Sequence, residues 1–598
     1  MPLVGIPVSR LEQLVGRDLD RDELRAALEN LGNDVDGYAV VKRYRCARCG
    51  DITEVLEHED FNNVCAGCRG GDLVEIGSSE VVRINLLPVR PDILSAAGLA
   101  RALRGYLGIE TGLPEFKLSD SGFQIAVKPG MDCLRPFIVG AVVRGLQLDD
   151  EGLRMVMKMQ ENLHWALGRD RRRASIGVYD LGTVHPGFVL RPVKPDELRF
   201  VPLFGLPENP KAELTPREIL ERHPKGIRYA HLLSGMSAFP LLTDSRGKVL
   251  SMPPIINSHD TRVTSMTSDV FVDVTGPDRI AVTRSLSVLV CALSDMGGSI
   301  ESVEVVYPGG ESVVMPDLAP SRRVLDPVEA RRILGLDLEA ERIAELLRRM
   351  RYGARQEGSR VAVEVPAYRS DILHDQDIIE DIAIGYGYPN IVPRLVPTMT
   401  VSRALPVEEL SEAVRRVMTG LGLFEVLTSV LVSEREQYDS MGLTPRPHVT
   451  LENPASVEQT MLRTSLIPGL LSTFRANSTR EMPQQIFECH DVFNPDPDAE
   501  TRVRTRRCVA VALTGPRVGF ADIRALASAL ARELNAEATF TAASHPSFII
   551  GRCARIDVQG VDTGIIGEIH PEVLERFGLG QPAAVLEFEL DHFIIAYA

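Results

Sequence analysis

Apolar positions along the chain follow two rhythms, a helical one and a strand-like one, and their order divides it into four segments. Near the N-terminus Leu11, Leu14 and Val15, then Leu24, Ala27 and Leu28, recur at helical spacing. Val81-Val82-Arg83-Ile84-Asn85 alternates as a strand does. ILSAAGLARALRGYLG then returns to the helical period, with Asp92 placed to cap it. These patterns predict a mixed α/β domain over residues 1–120, interrupted by a cysteine-bearing insert at 40–72. Between 121 and 312 short strand candidates dominate: FIVGAVVRGL, SIGVYDL, PLLTDSRGKVLSMPPIIN and DVFVDVTG. Helices such as EGLRMVMKMQENLHWALG lie among them, which reads as α+β.

Residues 315–396 predict two helices, VEARRILG and LEAERIAELLRRM, then a strand pair, YGARQEG and RVAVEVP, and the acidic helix DQDIIEDIAIGYGY. The proline-bearing stretch NIVPRLVPTMTVSRALP reads as a linker. The last segment, 405–598, opens with the helix PVEELSEAVRRVMTGLG. It continues through the strands EVLTSVLV, QIFECHDVF, CVAVALTG and AVLEFELD, with DIRALASALAREL helical among them. No repeat of solenoid length is present.

Composition fits several ordinary cores: 598 residues, 44% hydrophobic and 25% charged. A net charge of -16 argues against a surface devoted to nucleic acid but leaves room for a local basic patch. No apolar run of about 18 residues occurs, and the N-terminus has no signal-like apolar stretch, so the expectation is a cytoplasmic chain without a membrane. Nine cysteines, four of them in two CxxC pairs, read as reduced thiols plus one metal site.

Four constellations carry candidate chemistry. Cys46-x-x-Cys49 and Cys65-x-x-Cys68 can bring four thiolates into a tetrahedron, the geometry and donor set of structural Zn²⁺. His58 lies between them as a weak substitute ligand. Asp377, Glu380 and Asp381 stand at i, i+3 and i+4 on one helix, with Asp371 six residues before Asp377. Such carboxylates repel one another unless a hard cation such as Mg²⁺ sits among them; an acidic, solvated helix start explains the same spacing equally well. SMPPIINS and DVFVDVTG gather Ser251, Asn257, Asp273 and Thr275, the last two on one strand face, either around a pocket or as ordinary turn and strand-end polar residues. Finally, Gly168-Arg169-Asp170-Arg171-Arg172-Arg173 could grip phosphates or lie solvated.

At SMPPIINS and DVFVDVTG the chain resembles the editing domain of phenylalanyl-tRNA synthetase β subunits. The likeness extends both ways, in the family's order. VRPDILSAAGLARALRGYLGIETGLPEF is similar to the end of its N-terminal domain, and GRDRRRASIGVYD to the start of its editing domain. PAYRSDILHDQDIIEDIAIGYGYPNI resembles its helical DNA-binding-like domain. ENPASVEQTMLRTSLIPGLLSTFRANSTR, QQIFECHDVF and HPSFIIGRCARI resemble its class II synthetase-like antiparallel sheet module.

The resemblance implies the archaeal/eukaryotic type of β subunit, within an α₂β₂ heterotetramer that charges tRNA(Phe). ATP and the aminoacylation site belong to the α subunit. The β subunit hydrolyses Tyr-tRNA(Phe), in a pocket implied at Leu242, Ser251, Asn257, Asp273 and Thr275 with His231 nearby. It also implies Mg²⁺ at Asp371, Asp377, Glu380 and Asp381. The CxxC insert departs from the family's core pattern. Phe474-Arg475-Ala476-Asn477 lacks the glutamate a working motif 2 needs, and Pro582 to Leu590 contains no arginine for motif 3, so the last module is expected not to aminoacylate. A freestanding deacylase or a tRNA-binding scaffold is the alternative.

Overall fold

Leu11, Val15, Leu24 and Leu28 are buried where α1 (Val8–Val15) and α2 (Arg21–Asn30) meet an antiparallel sheet. Its strands are β1 (Leu3–Pro7), β2 (Asp34–Cys46), β3 (Ile52–Leu56) and β4 (Leu73–Asn85), in the order β1-β4-β2-β3. The computed structural model describes residues 3–47, 52–57, 61–65, 70–85, 88–206 and 208–591, in two units, 1–394 and 395–598. Asp92 does not cap α3 (Ala96–Tyr106): Ser95 does, its Oγ accepting from Gly98 N at 3.1 Å. Asp92 is instead buried one turn earlier and paired with Arg90 at 2.8 Å, because a carboxylate taken out of water needs a cation.

Ten strands form the mixed sheet that follows. They are β5 (Leu118–Val127), β6 (Phe137–Arg144), β7 (Ser175–Asp180), β8 (Phe188–Val193), β9 (Phe239–Thr243), β10 (Val249–Met252), β11 (Ile256–Asn257), β12 (Val270–Gly276), β13 (Ser299–Val306) and β14 (Ser312–Met315). Their order is β11-β10-β9-β8-β5-β13-β6-β12-β7, with β14 on β13. Alternation on β12 sorts its side chains. Val272 and Val274 pack in one cluster with Leu286 and Leu289 of α7 (Arg279–Asp295) and Met159 of α4 (Asp150–Trp165). Phe271 points the other way, into a cluster with Tyr179, Leu242 and Leu250, and Asp273 and Thr275 share its side of the strand. Two short helices, α5 (Pro216–Arg222) and α6 (Pro224–Tyr229), bring Ile219 and Tyr229 into a separate cluster with Val193, Leu241 and Val249.

The segment expected to be a helical domain also carries a sheet of its own. β15 (Ser321–Leu325), β17 (Arg360–Val365) and β16 (Gly353–Glu357) pair in that order beside α8 (Pro327–Leu334), α9 (Ala340–Arg349) and α10 (Asp375–Tyr386). Ile343, Leu347 and Ile378 join Leu11 and Leu99 in one buried cluster.

The second unit begins with α11 (Pro406–Gly420) and is built on a seven-stranded sheet. The strands are β18 (Phe424–Glu425), β21 (Gln484–Pro495), β22 (Val503–Thr514), β26 (Ala583–Glu589), β25 (Val561–Ile569), β24 (Phe548–Val558) and β23 (Ala538–Ala542), in that order. All neighbours are antiparallel except β18 and β21. α12 (Ile467–Ala476) and α13 (Phe520–Glu533) pack on it, and α14 (Pro571–Arg576) precedes β26. EVLTSVLV does not form the one long strand its pattern predicts. It yields β18 and then β19 (Leu431–Val432), which pairs β20 (Met461–Leu462). Between them Thr428 turns inward to the buried Arg463–Glu488 pair, its hydroxyl 2.6 Å from Glu488 and 2.9 Å from Arg463 Nη1.

Candidate functional site

Strand β7 is the edge of the ten-stranded sheet, and a cavity of about 650 Å³ opens beside it. Its walls come from β7, from α4, from the Pro253–Asn257 turn and from Arg262–Ser265. Tyr179, the last buried residue of β7, reaches across its floor. Its hydroxyl donates to Asp273 Oδ1 at 2.5 Å and lies 2.8 Å from Ser251 Oγ, which can donate to it because the phenol has only one proton to give. Leu242 and Phe271 belong to the apolar cluster that holds the ring. Gly177 makes this geometry possible: a Cβ there would lie 2.0 Å from the Tyr179 hydroxyl oxygen.

Burial sets the electrostatics. Asp273 is fully enclosed, which pushes its carboxyl up to about 7, although the Tyr179 hydrogen bond and the charge of Arg135 both favour the ionised form. The same burial, reinforced by Asp273, holds the Tyr179 phenol well above its usual value. Arg135, also buried, is brought down to about 9 by desolvation against the pull of Asp273. Its Nε donates to Thr275 Oγ1 at 2.9 Å and its Nη2 to Thr275 O at 2.7 Å and Ser175 Oγ at 3.1 Å.

On the α4 side, Ile176 N donates to His164 Nε2 at 2.8 Å, so the imidazole is an acceptor there, and burial lowers its pKa to about 4. Glu161 is desolvated too, but His164, Lys225 and Arg171 outweigh that cost and hold its carboxyl far below the usual range. Arg171 closes the back of the cavity. Its Nη1 donates to Ile255 O at 2.9 Å and Pro254 O at 3.2 Å, its Nη2 to Glu161 at 2.8 Å, and its guanidinium lies 4.5 Å from the Tyr229 ring centre. Arg169, Asp170 and Arg171 all have positive φ, 48°, 56° and 67°, a backbone that non-glycine residues rarely adopt and that these bonds hold in place.

The structure sorts the expected residues. Ser251, Asn257 and Asp273 line the cavity. Leu242 backs Tyr179 from within the core, and Thr275 is committed to Arg135 and Ser175, so neither lines it. His231 is exposed on a short turn, Nδ1 3.2 Å from Arg228 O, and is not among the lining residues either. Arg171 of the basic loop is buried and already bonded, leaving Arg169, Arg172 and Arg173 exposed, the last paired with Asp278. Tyr179, Gly177, Arg135, Glu161 and His164 were not singled out from the sequence. Register supplies the signal that could have found two of them: Gly177 pairs with Asp273 across β7 and β12, and Tyr179 follows two residues on, toward the same face.

The four carboxylates of 371–381 do not converge on a common point. Asp371 and Asp381 both bind Arg369, each at 2.7 Å, and Asp381 also accepts from the Tyr352 hydroxyl at 2.5 Å. Asp377 caps α10, accepting from the backbone N of Leu373 and of His374 at 2.7 Å, and Glu380 is exposed. Of the i, i+3, i+4 set only Asp381 meets a guanidinium, Arg369, which it shares with Asp371, so the four carboxylates face different partners as arranged here. Among the described residues no group of three or more His, Cys, Asp or Glu side chains is arranged to hold a metal ion. Cys46 and Cys65 are buried together beside Leu73; Cys49, Cys68 and His58 lie outside the described residues.

In the second unit, Arg475 is exposed in the last turn of α12. Glu587 of β26 is partly buried, accepting from Leu466 N at 2.6 Å and Ser465 Oγ at 2.7 Å, and desolvation raises its pKa. No helix among the described residues is long and apolar enough to cross a membrane.

Comparison with known proteins places this architecture. Residues 324–388 match the tRNA synthetase B5 domain and residues 391–590 the phenylalanyl tRNA synthetase beta chain CLM domain, which defines the chain as a synthetase component. The phenylalanine–tRNA ligase β subunit of Archaeoglobus fulgidus is 40% identical over 597 residues, covering 99% of both chains. That of Methanothrix thermoacetophila is 41% identical over 546 residues, 90% of this chain and 99% of its own. The crystal structure of an N-terminal fragment of the phenylalanyl-tRNA synthetase β-subunit from Pyrococcus horikoshii superposes with a TM-score of 0.55 at 34% identity, covering 64% of this chain and 99% of the fragment. The chain belongs to the phenylalanine–tRNA ligase β-subunit family and is a ligase subunit.

Proposed function

We propose that this chain is the editing and scaffolding subunit of an α₂β₂ phenylalanine–tRNA ligase. Its sections are 1–120, 121–312, 315–396 and 405–598, and the cavity beside β7 hydrolyses Tyr-tRNA(Phe). The observation that carries the reading is the buried Tyr179–Asp273–Ser251 cluster at the floor of a cavity large enough for an aminoacyl group. An Asp273 carboxyl poised near 7 can accept from a tyrosyl hydroxyl; phenylalanine offers no such donor, and a polar site left unpaired disfavours it. Discrimination by one hydroxyl is the property an editing site needs. Ser251 and Asn257 are placed to orient the ester or a water, and Leu242 and Thr275 act from behind through Tyr179 and Arg135.

Aminoacylation, with ATP and Mg²⁺, then belongs to the α subunit. Arg475 and the arginine-free β26 supply no motif-2 or motif-3 clamp. Phe424, Leu427, Val457 and Ile550 stay largely exposed on the second unit, which supports a partner surface. The carboxylates Asp371, Asp377, Glu380 and Asp381 do not fit one Mg²⁺ as arranged around Arg369, so no step is routed through that ion. Structural Zn²⁺ at Cys46, Cys49, Cys65 and Cys68 and a cytoplasmic setting complete the reading. The test is deacylation of Tyr-tRNA(Phe) and Phe-tRNA(Phe) by the reconstituted complex. Rapid clearance of the first alone is expected. Equal rates on both, or on neither, would remove the editing role, and full activity without α would favour a freestanding deacylase.

A further inference from the structure

The β2–β3 hairpin, part of the cysteine-bearing insert, reaches the cavity. In the β2–β3 hairpin Arg43 stands opposite Glu54 and Arg45 opposite Ile52, so these four share one face. That face meets the outer turns of α4. Arg43 pairs with Glu151, Arg45 with Asp150, and Glu54 with both Arg154 and Lys158, the last at 2.7 Å. Glu151, Arg154 and Lys158 stand at i, i+3 and i+7, on one side of the helix. The same helix carries Glu161 and His164 into the cavity further along, and Arg45, Ile52, Thr53 and Glu54 themselves line it. The insert is therefore both a brace for α4 and part of the cavity wall.

The charge of that wall is the second observation. The chain as a whole carries -16, yet six Arg and Lys side chains line the cavity against four Asp and Glu. One of those four, Asp273, sits near its own midpoint at neutral pH. A local cationic excess in an acidic protein attracts a polyanion that the remaining surface repels. Arg45 and Lys158 are partly exposed at the insert side, so a guanidinium and an ammonium face solvent there.

We propose that the β2–β3 hairpin forms the outer wall of the cavity, and that its Arg45, with Lys158 of α4, holds the phosphodiester backbone of the single-stranded 3′ end of the aminoacyl-tRNA as the aminoacyl group enters. This rests on the reading of the cavity as a hydrolytic site. Asp150 and Glu54 keep Arg45 and Lys158 in place until phosphates compete for them. Because α4 is shared, the insert couples backbone binding outside to the position of Glu161 and His164 inside.

The test uses the full chain in complex with its α subunit, in two variants. Arg45→Ala removes one half-exposed wall cation with little risk to folding, and Lys158→Met removes the other while keeping its apolar stem. Two substrates are compared, Tyr-tRNA(Phe) and 3′-O-tyrosyl-adenosine, which has no phosphodiester. KM for Tyr-tRNA(Phe) is expected to rise roughly tenfold more than KM for tyrosyl-adenosine, with kcat changing less, and the salt dependence of tRNA binding is expected to weaken by about one phosphate contact in Arg45→Ala. An equal change in KM for the two substrates in both variants overturns the proposal. Failure of the wild type to deacylate either substrate instead sinks the hydrolytic reading. The wall is then judged by the affinity of an acceptor-stem minihelix with a single-stranded 3′ end: unchanged Kd in both variants overturns it, and a loss in Arg45→Ala upholds it.

Discussion

Gly177 lies directly opposite Asp273 in the β7–β12 ladder, and a Cβ on it would come within 2.3 Å of Asp273 Oδ1. That gap is filled by the Tyr179 hydroxyl. Gly177→Ala is therefore expected to displace the phenol from the carboxylate, at an overpacking cost of about 1–3 kcal/mol. Thermal denaturation should show the loss, and Tyr-tRNA(Phe) deacylation should fall with it. An unchanged melting temperature and rate would mean that Tyr179 need not hold this position.

Tyr179→Phe keeps the ring and removes only the donor. Asp273 would then be buried with one hydrogen bond fewer, a cost of about 1–3 kcal/mol at neutral pH. As a positioning residue, Tyr179 acts through Asp273, so the expected signature is a narrower gap between Tyr-tRNA(Phe) and Phe-tRNA(Phe) deacylation. It should come with an upward shift of any pH midpoint in kcat. Loss of stability alone, with discrimination and pH midpoint intact, would leave Tyr179 a purely structural residue.

Asp273 also shapes stability against pH. Its folded pKa of about 7 lies above its unfolded value, so the folded chain binds the extra proton between roughly pH 4 and 7. Its contribution is complete below pH 4 and is lost as pH rises toward 7. Asp273→Asn removes that dependence. The variant is expected to gain on the wild type across this window, by about 1–4 kcal/mol in total, and to run parallel to it above pH 8. Denaturant midpoints at stepped pH values would measure the gain; a constant difference would place the Asp273 pKa near that of an ordinary carboxyl.

Arg463 and Glu488 form an ion pair at 2.7 Å with each side chain 1% exposed. Removing one partner strands the other. Arg463→Met or Glu488→Gln should each cost about 3–5 kcal/mol, while the double variant costs clearly less than the sum. Chemical denaturation of the full chain would read the coupling, and strict additivity would show that the two charges are solvated separately.

The double CxxC predicts about one tightly held zinc per chain. Metal analysis of protein purified without added zinc checks it, together with thiol titration before and after a chelator. Substoichiometric zinc with all four thiols already reactive would remove the site.

What the sequence determined by itself is local or ordered along the chain. Period-3.6 and period-2 patterns placed α4, α13, β12 and β26, because burial of one face imposes the repeat directly on neighbouring residues. The ordered motifs pointed to the β-subunit family, and Ser251, Asn257 and Asp273 were legible within them. Tertiary structure decided the rest. Tyr179 reaches Asp273 across 94 positions of chain, Arg135 reaches Thr275 across 140, and Arg43 reaches Glu151 across 108. No periodicity encodes such pairs, since they depend on strand register and helix packing. For the same reason the spacing of Asp371, Asp377, Glu380 and Asp381 left a cation site and a solvated helix start equally open; in the fold Asp371 and Asp381 bind Arg369 and Asp377 binds the backbone at the start of α10. A carboxylate's spacing sets which helix face it leaves from; the nearest cation or N–H in the folded chain sets what it binds.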